Sequence, residues 1–451
     1  MKLPSISFGV PLLERVALLA SRLVALIIVP AQLPGDVIDL MESLNEDAPN
    51  TIKSWCSADV RRILRQLLTS QKLTIPQDPQ LERLAALRSR FTTRGWSTCK
   101  VHTSDRVQLD AMLFAPSTHA HAADSTQFSH HDCPRYILFV GGNFQKYEDW
   151  LPYFELYAKE VGTGFMCFNF RGVARSHGAV CCADDLITDV RACVDFLLEH
   201  GVLPQHILLH GFSLGGAVAA LFLAQERSPP CALTSDRSFR SLSRAAFAII
   251  RGANLALGME STSSPDTQSA GGQDMSNKRA NRSLVSRMLP FFVCWIRGIG
   301  GWIACSALRA LGWDLNAEAA FARIPGRKIL LFHRLDNVIQ YKSASLHVCL
   351  ENTSQTECAS AVVSSNLEVI EVQRMGANGW PTHDFPLCAD KEAWQQLLQA
   401  ERCALGLEER APNDPIETGT DSFPIELGLS DGGDDDRSES NDEGGSPPLA
   451  P

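Results

Sequence analysis

Gly211-Phe212-Ser213-Leu214-Gly215-Gly216 sets a serine hydroxyl between small residues, two before it and two after. With Gly and Ser each near ~7% of residues, a G-x-S-x-G match arises by chance about 0.15 times in a chain this long, and the sequence holds a decoy in Gly428-Leu429-Ser430-Asp431-Gly432. Context separates the two. Ser213 follows the apolar run Ile207-Leu208-Leu209-His210 and precedes Ala217-Val218-Ala219-Ala220-Leu221-Phe222-Leu223, the strand-turn-helix setting in which a sharp turn exposes a nucleophile. So sharp a turn tolerates little beyond glycine at positions 211 and 215. The serine then sits at a helix N-terminus, which favours developing negative charge. Ser430 is flanked by neither a strand nor a helix pattern and is set aside.

A serine hydroxyl is a weak nucleophile until a neighbouring base takes its proton. In this topology the partners follow in the order Ser, Asp/Glu, His. Asp336 opens the loop Arg334-Leu335-Asp336-Asn337-Val338-Ile339 after the apolar run 328–333, and His383 lies in the Gly/Pro loop Asn378-Gly379-Trp380-Pro381-Thr382-His383-Asp384 after the last strand pattern. Ser213, Asp336 and His383 form the expected triad. Asp336 could instead serve as a turn or cap residue, and Asp236, between the elbow helix and a long insertion, is its rival. The alternative for His383 is a solvated loop histidine, and His333 reads as a strand-end packing residue. An oxyanion hole needs two backbone N–H groups, one just after the nucleophile and one after an earlier strand. Leu214 supplies the first. The run 136–140 leads into Gly141-Gly142-Asn143-Phe144, so Asn143 or Phe144 is the natural second donor, with Asn143 assigned; the alternative is a tight glycine turn without a ligand.

His119, His121, His130 and His131 cluster with Asp132 and Cys133, but the spacing matches no established metal pattern. The segment reads as solvated loop, and no metal or organic cofactor is expected. The 14 cysteines include no C-x-x-C pair, and most lie in apolar runs (Cys167, Cys193, Cys294, Cys305, Cys349). Reduced, packed thiols are expected, including the vicinal Cys181-Cys182, whose alternative is a redox pair.

Short apolar strand patterns at 136–140, 164–170, 207–210, 328–333 and 367–372 alternate with helical segments, after a hairpin at 97–102 and 107–114. That rhythm predicts an α/β fold, a mostly parallel central sheet with helices on both faces. Residues 1–95 read as an N-terminal helical extension, with apolar spacing in 60–68 and 81–87. Residues 96–408 read as the α/β domain, with an insertion at 237–325 expected to cap the strand ends. Within it, 260–282 is Ser/Gly/Asn-rich and reads as a surface loop. Residues 409–451 read as a disordered acidic tail with 12 acidic and 2 basic residues, so the tail carries the whole net charge of -10 and the body is neutral. No nucleic-acid surface is expected.

The apolar stretch 16–29 is split by Arg22, and 288–311 is broken by Arg297 and Arg309 and holds Gly298, Gly300 and Gly301. Neither predicts a transmembrane helix; for 16–29 an amphipathic helix that packs on the body or lies on a membrane fits better. Residues 16–29 also make a poor signal peptide, which points to the cytoplasm, with membrane association and signal-independent export left open.

With these residues in view, the chain resembles the α/β-hydrolases over about 96–405. Gly142-Asn143 followed by Tyr147-Glu148, the run Asn169-Phe170-Arg171-Gly172-Val173-Ala174-Arg175-Ser176 and Asp236-Arg237-Ser238-Phe239 are similar to the CHLPS-type hydrolases of chlamydiae and related virulence-associated proteins of intracellular bacteria. The resemblance implies an α/β-hydrolase fold and a structural Arg171 shaping the C-terminal edge of the sheet. The strand it requires before Asp236 is degraded at 229–235, which predicts an irregular sheet edge there. The expected activity is that of a serine hydrolase cleaving a carboxylic ester or thioester of a small-molecule or lipid substrate. An amidase or peptidase, or a non-catalytic interaction protein on a hydrolase scaffold, is the alternative.

Overall fold

A computed structural model describes residues 79–115, 134–143, 145–252, 299, 301–348, 366–374 and 382–407. Its strands are β1 (Trp96–His102), β2 (Gln108–Phe114), β3 (Tyr136–Val140), β4 (Gly164–Phe168), β5 (Ile207–Phe212), β6 (Ala232–Asp236), β7 (Lys328–Phe332) and β8 (Leu367–Glu371). They form an eight-stranded sheet in the order β1-β2-β4-β3-β5-β6-β7-β8. β1 and β2 form an antiparallel hairpin and β2 runs antiparallel to β4. Every pairing from β4 to β8 is parallel.

β3, β4, β5 and β6 are buried along their whole length, the burial that a parallel sheet covered on both faces requires. Side chains alternate between two cores. Leu138, Val140, Leu209 and Leu330 point to one, filled by α3 (Ala183–Glu199), α4 (Leu214–Leu223) and α6 (Ala317–Phe321). Ile137, Phe139, Phe165 and Leu331 point to the other, filled by α2 (Tyr147–Val161) and α8 (Lys391–Ala404), while the short α7 (Tyr341–Ala344) follows β7. Phe91 of α1 (Pro79–Thr92) belongs to this second core, and Arg88 of the same helix makes a buried ion pair with Asp110 of β2.

Two expectations need correction. β4 ends at Phe168 rather than at residue 170 because Asn169 turns inward. Its Oδ1 accepts from the Tyr147 N–H at 3.1 Å and its Nδ2 donates to Glu148 at 2.9 Å. The stretch before Asp236 is not degraded either: β6 is a regular internal strand paired with β5 and β7. Its small residues serve the packing of α4. A Cβ on Gly216 would lie 3.0 Å from the Ser235 hydroxyl and 2.8 Å from the Ser238 Cβ.

Of the insertion, α5 (Leu242–Gly252), the helical stretch 301–310 and α6 are described. The Cys305 thiol donates to the Ser243 carbonyl and a Cβ on Gly301 would meet the Phe247 ring, so 301–310 lies antiparallel along α5. Ala245 and Ala248 of α5 and Ala317 of α6 join the core on the α4 face. None of the described helices is long and apolar enough to cross a membrane. The stretches 16–29, 60–68, 260–282 and 288–298, the histidine cluster at 119–133, Phe144 and the acidic tail 409–451 lie outside the described residues.

Arg171 occupies the structural position expected of it. Its guanidinium meets Asp105 in the β1–β2 turn at 2.7 Å, Asp185 at 3.1 Å and Asp189 at 2.7 Å. The described cysteines carry free thiols, Cys181 and Cys182 among them. Burial pushes the Cys99 and Cys231 thiols up to about 12, which removes their nucleophilic form at neutral pH.

Candidate active site

In an open α/β sheet the ligand crevice lies beyond the C-terminal ends of the strands, where the strand order reverses. That point falls between β3 and its neighbours β4 and β5. The loop after β3 and the turn after β5 therefore face one another, and the ends of β7 and β8 follow along the same edge.

Ser213 terminates β5 and is the N-cap of α4, with φ 51° and ψ −113°. A non-glycine residue in that region costs on the order of 1–3 kcal/mol and persists only where its surroundings over-determine it. Here its N–H donates to the Asp236 carbonyl at 2.9 Å, and its carbonyl accepts from the Gly216 N–H at 3.1 Å and the Ser238 hydroxyl at 2.7 Å. The two flanking glycines are required sterically. A Cβ on Gly211 would lie 2.5 Å from the Gly215 carbonyl oxygen, and one on Gly215 would run into the Val140 carbonyl. The same contacts press the turn against the loop after β3.

His383 reaches that serine from the other side of the crevice. Its Nε2 lies 3.0 Å from Ser213 Oγ and its Nδ1 lies 2.7 Å from Asp336 Oδ2. With Nδ1–H donating to the carboxylate, Nε2 is left with a lone pair facing the hydroxyl. Asp336 is fixed in turn, since its Oδ1 accepts from the N–H groups of Val338 at 2.8 Å and Ile339 at 2.7 Å. All three side chains are buried. The loops carrying His383 and Asp336 are clasped together. Asn337 Oδ1 accepts from the His383 N–H at 3.0 Å, and Thr382 Oγ1 donates to the Leu335 carbonyl at 2.8 Å. Asp390 closes the far end of the histidine loop by accepting from the N–H groups of Gln373, Arg374 and Ala393. Sequence reasoning missed Asn337, Thr382 and Asp390. Only the adjacency of Asn337 to Asp336 and of Thr382 to His383 could have suggested the clasp.

Asp236, the rival acid, is engaged elsewhere. Its oxygens pair side by side with Arg237, Oδ1 to Nε at 2.8 Å and Oδ2 to Nη2 at 2.9 Å, and Oδ2 lies 3.6 Å from His210 Nε2. Burial alone would push the Asp236 carboxyl up. The Arg237 guanidinium and His210 outweigh burial and hold it well below the usual carboxylate range. His210 is completed by Glu401 at 3.0 Å, a carboxylate that also accepts from Tyr157 and Thr234. Burial opposes the His210 cation, yet Asp236 and Glu401 raise its pKa to about 9.

A raised histidine pKa contributes stability that is fully present below the unfolded value near 6.5 and lost as pH rises through about 9. The shift corresponds to a contribution on the order of 3 kcal/mol. The urea midpoint of the native protein is therefore expected to fall between pH 6.5 and pH 9, and His210→Gln to flatten that fall. An equally steep fall in the variant would contradict the assignment of a buried imidazolium.

Leu214 and Asn143, the two expected oxyanion donors, lie in neighbouring segments. Leu214 is the first residue of α4, where the backbone N–H has no intrahelical acceptor. Asn143 is exposed in the loop after β3. That loop abuts the elbow, because a Cβ on Gly142 would lie 2.8 Å from the Phe212 ring. The Gly142 N–H is already taken by Gln145 Oε1 at 2.7 Å. His333 packs at its strand end as expected, with Nδ1 accepting from the Leu335 N–H and Nε2 facing the Arg374 carbonyl at 3.1 Å.

Parts of the chain are similar in sequence to a known family and to known proteins. A family model described as the Chlamydia CHLPS protein (DUF818) matches residues 122–259. Over 131 residues, 28% of this chain, the sequence is 27% identical to the multifunctional-autoprocessing repeats-in-toxin of Vibrio vulnificus. A 113-residue match to its Vibrio cholerae counterpart is also 27% identical. The chain spans about 2% of the length of these curated relatives. Among solved structures, an esterase from Pyrococcus furiosus is similar over 69% of this chain and 91% of its own, at 14% identity and a TM-score of 0.43. An α/β-hydrolase from Vibrio vulnificus is similar over 76% of this chain and 94% of its own, at 15% identity and a TM-score of 0.44. By its strand order and its sequence the chain has the α/β-hydrolase fold and resembles the CHLPS-type proteins.

Proposed function

We propose that the chain is a serine hydrolase that cleaves a carboxylic ester or thioester through an acyl-enzyme. The observation that carries this reading is the hydrogen-bonded line from Ser213 through His383 to Asp336, at 3.0 and 2.7 Å, set on a backbone held at φ 51°. In the forward step Ser213 Oγ attacks the acyl carbonyl as its proton passes to His383 Nε2. Asp336 holds the imidazole in the tautomer that can accept that proton and stabilises the cation that forms. The tetrahedral oxyanion is bound by the backbone N–H groups of Leu214 and Asn143. His383 then returns the proton to the departing alcohol or thiol, and water, activated by the same imidazole, releases the acid.

An acyl-lipid or other acylated substrate fits the surroundings. Leu335, next to Asp336, is 61% exposed. The reading carries with it a hydrolase domain at 96–408 that uses its 237–325 insertion as a cap, flanked by a helical extension and an acidic tail. Contact with a membrane surface through the N-terminus or the cap, from the cytoplasmic side or after export, belongs to the same proposal.

The test is turnover of p-nitrophenyl esters of short, medium and long acyl chains, beside a thioester and an anilide of the preferred acid. Ester and thioester turnover with a preference for longer chains is expected. Turnover of the anilide alone would replace this reading with an amidase. No turnover by folded protein would leave an interaction protein on a hydrolase scaffold.

A further inference from the structure

We propose that Arg237 is a positioning residue for the base: with Asp236 it forms a hub that fixes the loop carrying His383 relative to Ser213. The proposal rests on the reading of Ser213 and His383 given above. Its basis is a single dipeptide at the end of β6 that touches the carriers of all three reacting side chains. The Asp236 carbonyl accepts from the Ser213 N–H at 2.9 Å. The Arg237 N–H donates to the Leu331 carbonyl at 3.0 Å, on β7, the strand that leads to Asp336. The Arg237 side chain turns to the third carrier, where Nη1 donates to the His383 carbonyl at 2.8 Å and to the Phe385 carbonyl at 3.0 Å.

The opposite edge of the guanidinium is occupied by both oxygens of Asp236. A planar fork that satisfies a carboxylate on one side and two carbonyls on the other is a task for arginine and not for lysine. Its faces are used as well. The guanidinium carbon lies 4.9 Å from the Phe212 ring centroid and 5.4 Å from that of Phe385. The Phe212 ring in turn sits 5.1 Å from the His383 ring. Arg237 lies in the left-handed region, with φ 47°. That turn folds its side chain back onto the carboxylate of the residue before it. Asp236 is braced from below by His210, and His210 by Glu401 of α8. The imidazole is thus referred through rigid groups to the same strand end that holds the serine.

A shift of about 1 Å in the reacting groups can cost on the order of 10²-fold in rate. Arg237→Lys keeps a cation beside Asp236 but cannot reach both carbonyls and both carboxylate oxygens together. Asp236→Asn with Arg237→Gln removes the charged pair without leaving either charge buried alone, and serves should the lysine variant not fold. Folded sites are counted by phosphonylation carried to its end point with a fluorophosphonate. The kcat per counted site and KM are then measured with p-nitrophenyl butyrate. A fall in kcat per site of about 10- to 100-fold, with KM within about twofold, is expected in either variant. A merely structural arginine would lower the number of countable sites and leave kcat per site at the native value, and that result would overturn the proposal. Failure of the underlying reading looks different: turnover would then survive in Ser213→Ala.

Discussion

Ser213→Ala is expected to lower ester turnover by about a million-fold, while Ser430→Ala in the second G-x-S-x-G match leaves it at the native level. The size of the effect follows from the way the side chains act as a unit. Without Oγ there is no acyl-enzyme, and His383 and Asp336 have no proton to move. The residual rate is what substrate binding and the two oxyanion donors supply. The substitution removes one oxygen from a turn whose strained backbone is held by main-chain contacts with Asp236 and Gly216 and by the Ser238 hydroxyl. The folded state should therefore survive, with an unfolding midpoint near that of the native protein. Steady-state hydrolysis of p-nitrophenyl butyrate by the purified variants checks it. Native-like turnover in Ser213→Ala would remove the serine from the mechanism.

Asp336→Asn is expected to cost about 10⁴-fold in kcat. The amide at this position can offer its NH₂ to His383 Nδ1, which stabilises the tautomer with its proton on Nε2, the wrong side for accepting one from Ser213. Asp236→Asn acts differently. It weakens the neutralisation of a buried guanidinium, and breaking a buried pair costs about 3–5 kcal/mol of stability. Its main effect belongs to the urea midpoint, and its effect on turnover to the smaller range expected for the Arg237 hub. Comparing kcat and midpoint for the two variants discriminates between the two carboxylates. A reversal, with Asp236→Asn the more damaging to kcat per folded site, would make Asp236 the acid.

Much of this site was legible before any coordinates. The elbow could be read because its constraints are local: an apolar strand, small residues two positions either side of the serine, and an apolar helix beyond. The order of acid and base could be read because each follows a strand and the strands run parallel. Position along the chain favours Asp336 but leaves Asp236 as a rival, since Asp236 ends β6 and Asp336 lies four residues beyond β7. The left-handed turn at Arg237 commits Asp236 to its neighbour, which supports Asp336 as the acid of the proposed triad. β6 was obscured because Ser235 packs beneath Gly216 of α4 and Thr234 donates to Glu401 of α8, where strand patterns usually show apolar residues. The clasp of Asn337 and Thr382 joins residues 45 apart, and polar contacts over that distance leave no periodicity to find.

The central claim is that Ser213 is an activated nucleophile, and the most direct measurement is the site of covalent modification. The protein is treated with a fluorophosphonate, digested, and the modified peptide sequenced by mass spectrometry. One adduct on Ser213, absent when His383→Ala is treated in the same way, is the predicted result. An adduct on any other residue, or none on folded protein, would contradict the account.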